Sequence, residues 1–173
     1  MVEHDKAAII EVLNLYAFAL DSHQWELFDR VFTEDIRAEF GPAGAVWSGL
    51  DNFKRSFDEF HDTLDNQQHS MSGHLVHVDG DTANAFHYGS WLLVRDGAEG
   101  GSWWLGSGWY DDVLVRTEGG WRIRDRIAKL VHWTGNPYVP VPVPEHHPDM
   151  ETNALAEAVA AGRIRYFEAI KGK

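Results

Sequence analysis

The chain has 173 residues, no cysteine and a formal net charge of −12 at pH 7. This length suits one domain with its own core, and the absence of cysteine excludes disulfides, thiolate nucleophiles and cysteine-ligated metals. The acidity argues against binding to nucleic acid or anionic membranes. Because the N-terminus is polar and no apolar run is long enough to span a membrane, we expect a soluble, cytoplasmic protein.

The first predicted elements are two helices that meet at Asp21. Apolar residues recur at helical spacing over residues 5–20 and again from Gln24 to Phe32. The triplet Thr33-Glu34-Asp35 interrupts this pattern, and Ile36–Phe40 follows as a short predicted strand. Asp21 is therefore predicted to lie at a helix boundary, where an N-cap role is the structural alternative to a functional one.

A short hairpin and a third helix come next. Gly41-Pro42-Ala43-Gly44 predicts a turn, and Val46–Gly49 predicts the second strand of the hairpin. Phenylalanines spaced three or four residues apart predict a helix over Asp51–Leu64.

The middle of the chain changes to a period of two, which indicates strands. Two turn sequences, Asp79-Gly80-Asp81 and Thr117-Glu118-Gly119-Gly120, predict tight hairpins. The predicted long strands are His69–Val78, Thr82–Arg95, Ser102–Arg116 and Gly120–Trp133. Helices followed by a mostly antiparallel sheet define an α+β class.

The C-terminal part differs in composition from the rest. Residues 136–144 are rich in proline and cannot lie inside a sheet. An amphipathic helix is predicted over Glu151–Ile170. The organisation is therefore predicted as a domain over residues 1–137 and an extension over residues 138–173.

Several local motifs occur in one order that resembles the SnoaL-like branch of the NTF2-like superfamily. In the first half they are Ile10, Leu13, Tyr16, Leu20-Asp21, Trp25, Phe28, Phe32-Thr33-Glu34-Asp35, His69 and Val78-Asp79-Gly80-Asp81-Thr82-Ala83. In the second half they are Tyr110-Asp111-Asp112, Arg116, Gly119-Gly120-Trp121-Arg122-Ile123, Arg126, Trp133 and Gly135-Asn136-Pro137. The resemblance implies a cone-shaped fold, in which a strongly curved sheet and the N-terminal helices enclose a pocket. It also implies a homo-oligomer, with a trimer favoured over a dimer, and a C-terminal extension that packs on a neighbouring subunit or closes the pocket mouth.

The closest pattern is that of scytalone dehydratase, hexachlorocyclohexane dehydrochlorinase and bile-acid 7α-dehydratase, which share a catalytic Asp–His pair. The matching positions are Asp21, at the end of the first helix, and His69, at the start of the first long strand. The distance to the Gly80-Asp81 turn selects His69, and His74 is the second choice. Histidine suits proton abstraction because its ordinary pKa of about 6.5 lies near working pH.

The same resemblance points to two further catalytic candidates. Tyr16 matches a tyrosine that can donate a proton to a leaving group, although it also fits the apolar face of its helix. Arg126 matches an arginine that can hold an anion. It also alternates with Arg122 and Arg124, which is the pattern of an outward-facing strand residue.

An enclosed pocket for a flat, apolar ligand is built from aromatic side chains, and the chain has eight tryptophans. The residues predicted to bind substrate are Phe40, Trp47, His74, His87, Trp91 and Trp103. No metal site is expected, since His146, His147 and Asp149 lie in the proline-rich segment and no metal-binding motif is present. No cofactor is implied either.

These observations predict a cofactor-free lyase of the dehydratase type that acts on a small aromatic or cyclic hydroxylated compound. Cleavage of a C–C or C–O bond would use the same base. An isomerase or polyketide cyclase, and a non-catalytic small subunit of a ring-hydroxylating dioxygenase, are the alternatives that the same fold accommodates.

Overall fold

The computed structural model describes residues 2–40, 46–141 and 150–171. The helices are α1 (Val2–Asp21), α2 (Phe28–Val31), α3 (Leu50–His61), α4 (Leu155–Ala160) and α5 (Arg165–Lys171). The strands are β1 (Phe32–Phe40), β2 (Val46–Ser48), β3 (Asn66–Asp79), β4 (Thr82–Val94), β5 (Trp103–Thr117) and β6 (Gly120–Gly135). No helix in these ranges has the length and apolarity needed to cross a membrane.

The strands form one open, curved sheet in the order β2-β1-β6-β5-β4-β3. Only β1 and β6 pair in parallel; the other neighbours are antiparallel. The two predicted hairpin turns are confirmed, since Asp79 pairs with Thr82 and Thr117 pairs with Gly120. The structure is thus the predicted α+β fold.

The main core lies between α1 and the inner face of the sheet. Ile9, Leu13 and Leu20 of α1 are fully buried, and they pack with inward side chains such as Leu114 and Ile123. The helical spacing of these α1 residues places them on one face, which explains why the helix forms against the sheet. The other end of the inner face is covered by α3, and a cavity remains between this helix and the sheet.

The strand pairing shifts register at several points, and two of these β-bulges determine which side chains face the site. In β3 the register shifts between Ser72 and Leu75, where Gly73 has φ +63°. In β6 the register shifts opposite Val113 and Leu114, which leaves Arg124 as the extra residue. Because side chains alternate along a strand, each bulge moves the following residues to the opposite face.

The region after α1 differs from the prediction. The segment predicted as one helix from Gln24 to Phe32 is a 3-10 turn (Trp25–Leu27) followed by the four-residue α2. Thr33-Glu34-Asp35 does not interrupt the structure but lies within β1, because this strand pairs with β6 from Phe32 onwards through an irregular register. The predicted turn at residues 41–44 lies outside the described residues.

The predicted C-terminal helix is also two helices. A turn at Gly162, with φ +67°, separates α4 from α5. Both pack against the outer face of this chain's own sheet, where Ala158 and Ile164 contact Phe86 and Trp109. The helices of the extension therefore do not close the pocket mouth, whereas Pro140 and Met150 beside it do line the pocket.

Candidate active site

A cavity of about 410 Å³ lies between α1, α3 and the inner face of the sheet. Its wall is largely aromatic, and a few polar groups interrupt it. The lining residues are Tyr16, Phe40, Trp47, Ser56, Phe57, Phe60, His61, His69, Trp91, Leu93, Trp104, Tyr110, Ala128, Leu130, Pro140, Met150 and Glu151. Predicted residues Tyr16, Phe40, Trp47, His69 and Trp91 thus come together here.

The His69 ring faces this cavity and is backed by Asp21. Nδ1 of His69 donates to Oδ1 of Asp21 at 2.6 Å, and the backbone N–H of His69 donates to Oδ2 at 2.7 Å. Both oxygens of the Asp21 carboxylate therefore accept hydrogen bonds from His69. Since Nδ1 carries the proton, Nε2 of the neutral ring carries the basic lone pair.

The ends of two elements position this pair. Helix α1 ends after Asp21, where His23 adopts a left-handed conformation (φ 53°) and its backbone N–H bonds to the Leu20 carbonyl at 3.2 Å. Gln67 of β3 donates from its side chain to the same Leu20 carbonyl at 2.9 Å. These contacts tie the end of α1 to the start of β3, two residues before His69.

Two tyrosine hydroxyls form the polar part of the opposite wall. Tyr16 and Tyr110 are buried and hydrogen-bonded to each other, and Trp91 donates from Nε1 to the Tyr110 hydroxyl at 2.6 Å. Gly89 permits this packing, because a Cβ there would lie 2.6 Å from the Tyr110 ring. Burial raises the pKa of Tyr110 to about 12 and that of Tyr16 well above its ordinary value, so both remain protonated donors.

Arg126 lies behind these tyrosines and not in the cavity wall. Its guanidinium is fully buried, pairs with Asp112 through two bonds of 2.8 Å, and lies 4.3 Å and 4.6 Å from the ring centroids of Tyr16 and Tyr110. The bulge at Arg124 turns it inward, which an uninterrupted strand would not. Burial opposes the charge of Asp112, but the adjacent Arg126 lowers its pKa to about 2.

His87 and His74, predicted to bind substrate, do not line the cavity. His87 is fully buried and stacks on Tyr110 with a centroid distance of 4.7 Å, and its Nε2 donates to Asp112 at 3.2 Å. His74 stacks on the far side of His87, at 5.3 Å. The bulge at Gly73 brings His74 to this position, one layer behind the cavity wall.

Trp103, which was predicted to bind substrate, does not line this cavity either. Its side chain is 45% exposed on the outer face, and the neighbouring Trp104 is buried in the cavity lining. The alternation of β5 explains the difference, because Trp104 shares a face with Tyr110 and Trp103 does not.

His61 is a cavity residue that the sequence interpretation missed. It is only 3% exposed, and its Nδ1 donates to the Phe57 carbonyl at 2.6 Å. Burial lowers its pKa to about 4. The sequence spacing could have identified it, because His61 follows Phe53 and Phe57 on the apolar face of α3 at steps of four.

Among the described residues, no group of three or more His, Asp or Glu side chains is arranged to hold a metal ion. His146, His147 and Asp149 lie outside the described residues.

Solved structures of other proteins share this arrangement of helices and sheet. A scytalone dehydratase-like protein from Novosphingobium aromaticivorans has a TM-score of 0.70 at 18% identity, with 86% of this chain and 92% of that chain covered. A hexachlorocyclohexane dehydrochlorinase (LinA type 2) has a TM-score of 0.66 at 14% identity, with 83% and 92% covered. These likenesses establish the NTF2-like fold.

The sequence itself gives the narrower assignment. Residues 3–127 match the SnoaL-like domain, and the chain belongs to that family. It is also 30% identical over 123 residues to an uncharacterized protein of Mycobacterium tuberculosis, an alignment that covers 71% of this chain and 83% of that protein.

Proposed function

We propose that the protein is a cofactor-independent lyase in which His69 is the general base and Asp21 is its orienting partner. The observation that supports this most is the 2.6 Å contact between Nδ1 of His69 and Asp21, directly behind a largely aromatic cavity. The substrate class that fits is a small aromatic or cyclic compound with a hydroxyl group next to an activated C–H bond. The dehydrochlorinase and dehydratase-like neighbours agree with this class of reaction.

In the proposed reaction, Nε2 of His69 removes a proton from the carbon next to a carbonyl group. The C–H electrons form a C=C bond as the C–O bond to the adjacent carbon breaks. The leaving hydroxyl takes up the proton from Nε2 of the His69 imidazolium, so that water is the product and the neutral ring is restored. Asp21 keeps the proton on Nδ1 and stabilises the imidazolium that forms. A positioned general base of this kind contributes roughly 100-fold to 10,000-fold in rate.

The tyrosine pair provides the complementary charge stabilisation. Hydroxyl donors in a dry site stabilise the negative charge that develops on an enolate oxygen or on the leaving hydroxyl. Arg126 sits over both rings and favours negative charge on them through its electrostatic field. Tyr16 is therefore proposed as a catalytic donor, whereas Arg126 acts through the tyrosines as a positioning residue.

A suitable probe substrate is 3-hydroxy-1-tetralone, because loss of water yields 1-naphthol, whose fluorescence reports the rate. We expect His69→Ala and Asp21→Asn each to lower kcat by about 100-fold or more, with unchanged folding by circular dichroism. His74→Ala is the matched control, because His74 lies behind the cavity wall. A fully active His69→Ala with an inactive His74→Ala would contradict the proposed role of His69.

A further inference from the structure

His61 and His69 present two imidazole rings to the same cavity, but only His69 has a carboxylate partner. Their ring centroids are 6.2 Å apart. Both oxygens of Asp21 bond to His69, and among the described residues no hydrogen bond joins Asp21 to His61. The two rings therefore differ in their polar partners.

The backbone of α3 determines the tautomer of His61. A carbonyl oxygen can only accept, so the 2.6 Å contact with Phe57 requires the proton on Nδ1. Nε2 of the neutral ring is then a hydrogen-bond acceptor. It faces away from the Phe57 carbonyl, at the far end of the ring.

The surroundings keep this ring neutral. Phe57, Phe60 and Trp25 pack around it, with Trp25 at a centroid distance of 5.7 Å. The titratable groups that face it are His23, at 6.4 Å, His69 and Asp21; both histidines disfavour its protonation and Asp21 favours it. Burial outweighs the attraction to Asp21 and keeps the pKa near 4.

Nε2 of His61 has no hydrogen-bond partner among the described residues. His61 lines the cavity, so a molecule that fills the cavity can contact its ring. A buried acceptor without a partner is unfavourable unless a ligand or water supplies the donor. This points to a donor in the molecule that fills the cavity.

We propose that Nε2 of His61 accepts a hydrogen bond from a hydroxyl group of the substrate and thereby selects hydroxylated over hydroxyl-free or etherified compounds. This proposal rests on the proposed lyase function, because it assumes that the substrate reacts at the neighbouring His69. The two rings line one cavity and their centroids are 6.2 Å apart, so one small ring compound can contact both. His61 is thus a specificity-determining residue.

Binding of two product-sized probes tests this without any turnover. 1-Naphthol carries the O–H donor, and 1-methoxynaphthalene has the same rings and oxygen without it. Dissociation constants at pH 7 come from tryptophan fluorescence or calorimetry. We expect the protein to bind 1-naphthol about fivefold more tightly or better.

Three variants of His61 separate hydrogen bonding from packing. His61→Phe keeps an aromatic ring but removes the acceptor, and His61→Asn places an amide near Nδ1 only; both should reduce the preference to less than about twofold. His61→Gln extends an amide oxygen towards the Nε2 position and should restore it. His132→Phe, at an exposed histidine of β6, is the control for the substitution itself and should keep the preference.

The proposal would be overturned if His61→Phe kept the preference for 1-naphthol, for example by losing affinity for both probes equally. It would also be overturned if the parent protein showed no preference for 1-naphthol. Loss of the preference in His69→Gln alone would assign the hydrogen bond to His69 instead. If His69→Ala still dehydrates 3-hydroxy-1-tetralone while His61→Phe loses the preference, the lyase mechanism fails and the role of His61 stands. Thermal unfolding of each variant verifies the fold.

Discussion

The neighbouring residues Asp111 and Asp112 of β5 are both fully buried, but their side chains lie on opposite faces of the sheet. On the inner face, Asp112 pairs with the fully buried Arg126 behind the cavity. On the outer face, Asp111 accepts bonds from the backbone N–H groups of Arg165 and Tyr166 and from the Arg165 side chain. The inner pair supports the cavity, and the outer cluster attaches α5.

The pKa values of the two carboxyl groups shift in opposite directions. Burial raises the pKa of Asp111, and its contacts with α5 only partly oppose this effect. At Asp112 the attraction of Arg126 outweighs burial and lowers the pKa to about 2. Two residues of the same type, adjacent in sequence and equally buried, thus differ because one faces a buried cation and the other faces a partly exposed one.

The largest effect is expected from Asp112→Asn. This change leaves the guanidinium of Arg126 buried without a countercharge, which typically costs about 3–5 kcal/mol. It should also disturb the packing of Arg126 against Tyr16 and lower the dehydration rate. Urea unfolding followed by circular dichroism measures the stability change. A loss below about 1 kcal/mol in the free energy of unfolding would show that the buried charge of Arg126 does not need Asp112 as its countercharge.

The second prediction concerns acid stability, where the two aspartates should have opposite effects. Asp112 has a folded pKa of about 2 against 3.8 when unperturbed. Its ionisation therefore contributes roughly 2 kcal/mol above pH 4, which is lost as the pH falls through about 2. The folded pKa of Asp111 is raised, so acidification favours its folded form.

Urea unfolding across pH 2 to 7 tests this contrast through the difference between the parent protein and each variant. The stability advantage over Asp112→Asn should shrink as the pH falls. The advantage over Asp111→Asn should grow as Asp111 takes up a proton. The same sign of pH dependence in both comparisons would contradict the assigned pKa directions.

The smallest effect is expected from Asp111→Asn near neutral pH. An asparagine oxygen still accepts a bond from the N-terminus of α5, and the Arg165 side chain, which is 28% exposed, can reach water. We expect a loss of about 1 kcal/mol in the free energy of unfolding. Faster hydrogen exchange confined to α5 would accompany it. If Asp111→Asn lowered the free energy of unfolding as much as Asp112→Asn, the proposed difference between the outer and inner aspartates would be contradicted.

The sequence was sufficient for the parts of the fold that depend on local periodicity. The strands, their hairpin turns and helices α1 and α3 follow from spacing alone, and the Asp21–His69 contact agrees with the family resemblance. The breaks within the predicted second and C-terminal helices were missed, because strand pairing of Phe32 and the left-handed Gly162 override helical spacing.

Side-chain direction beyond a bulge could not be predicted in the same way. Arg122, Arg124 and Arg126 alternate in sequence, and only the register shift at Arg124 shows that Arg126 turns inward. The same reasoning applies to His74 after Gly73. A bulge inserts one residue into one strand, so its position depends on pairing with a neighbour that is distant in sequence.

The central claim is that His69 removes a proton from carbon. It is tested most directly with 1-tetralone, which has the activated C–H bond but no leaving group. In D₂O, we predict that the protein incorporates deuterium at the carbon next to the carbonyl group, as detected by NMR, and that His69→Ala abolishes this exchange. Exchange at the parent rate in His69→Ala would contradict the claim.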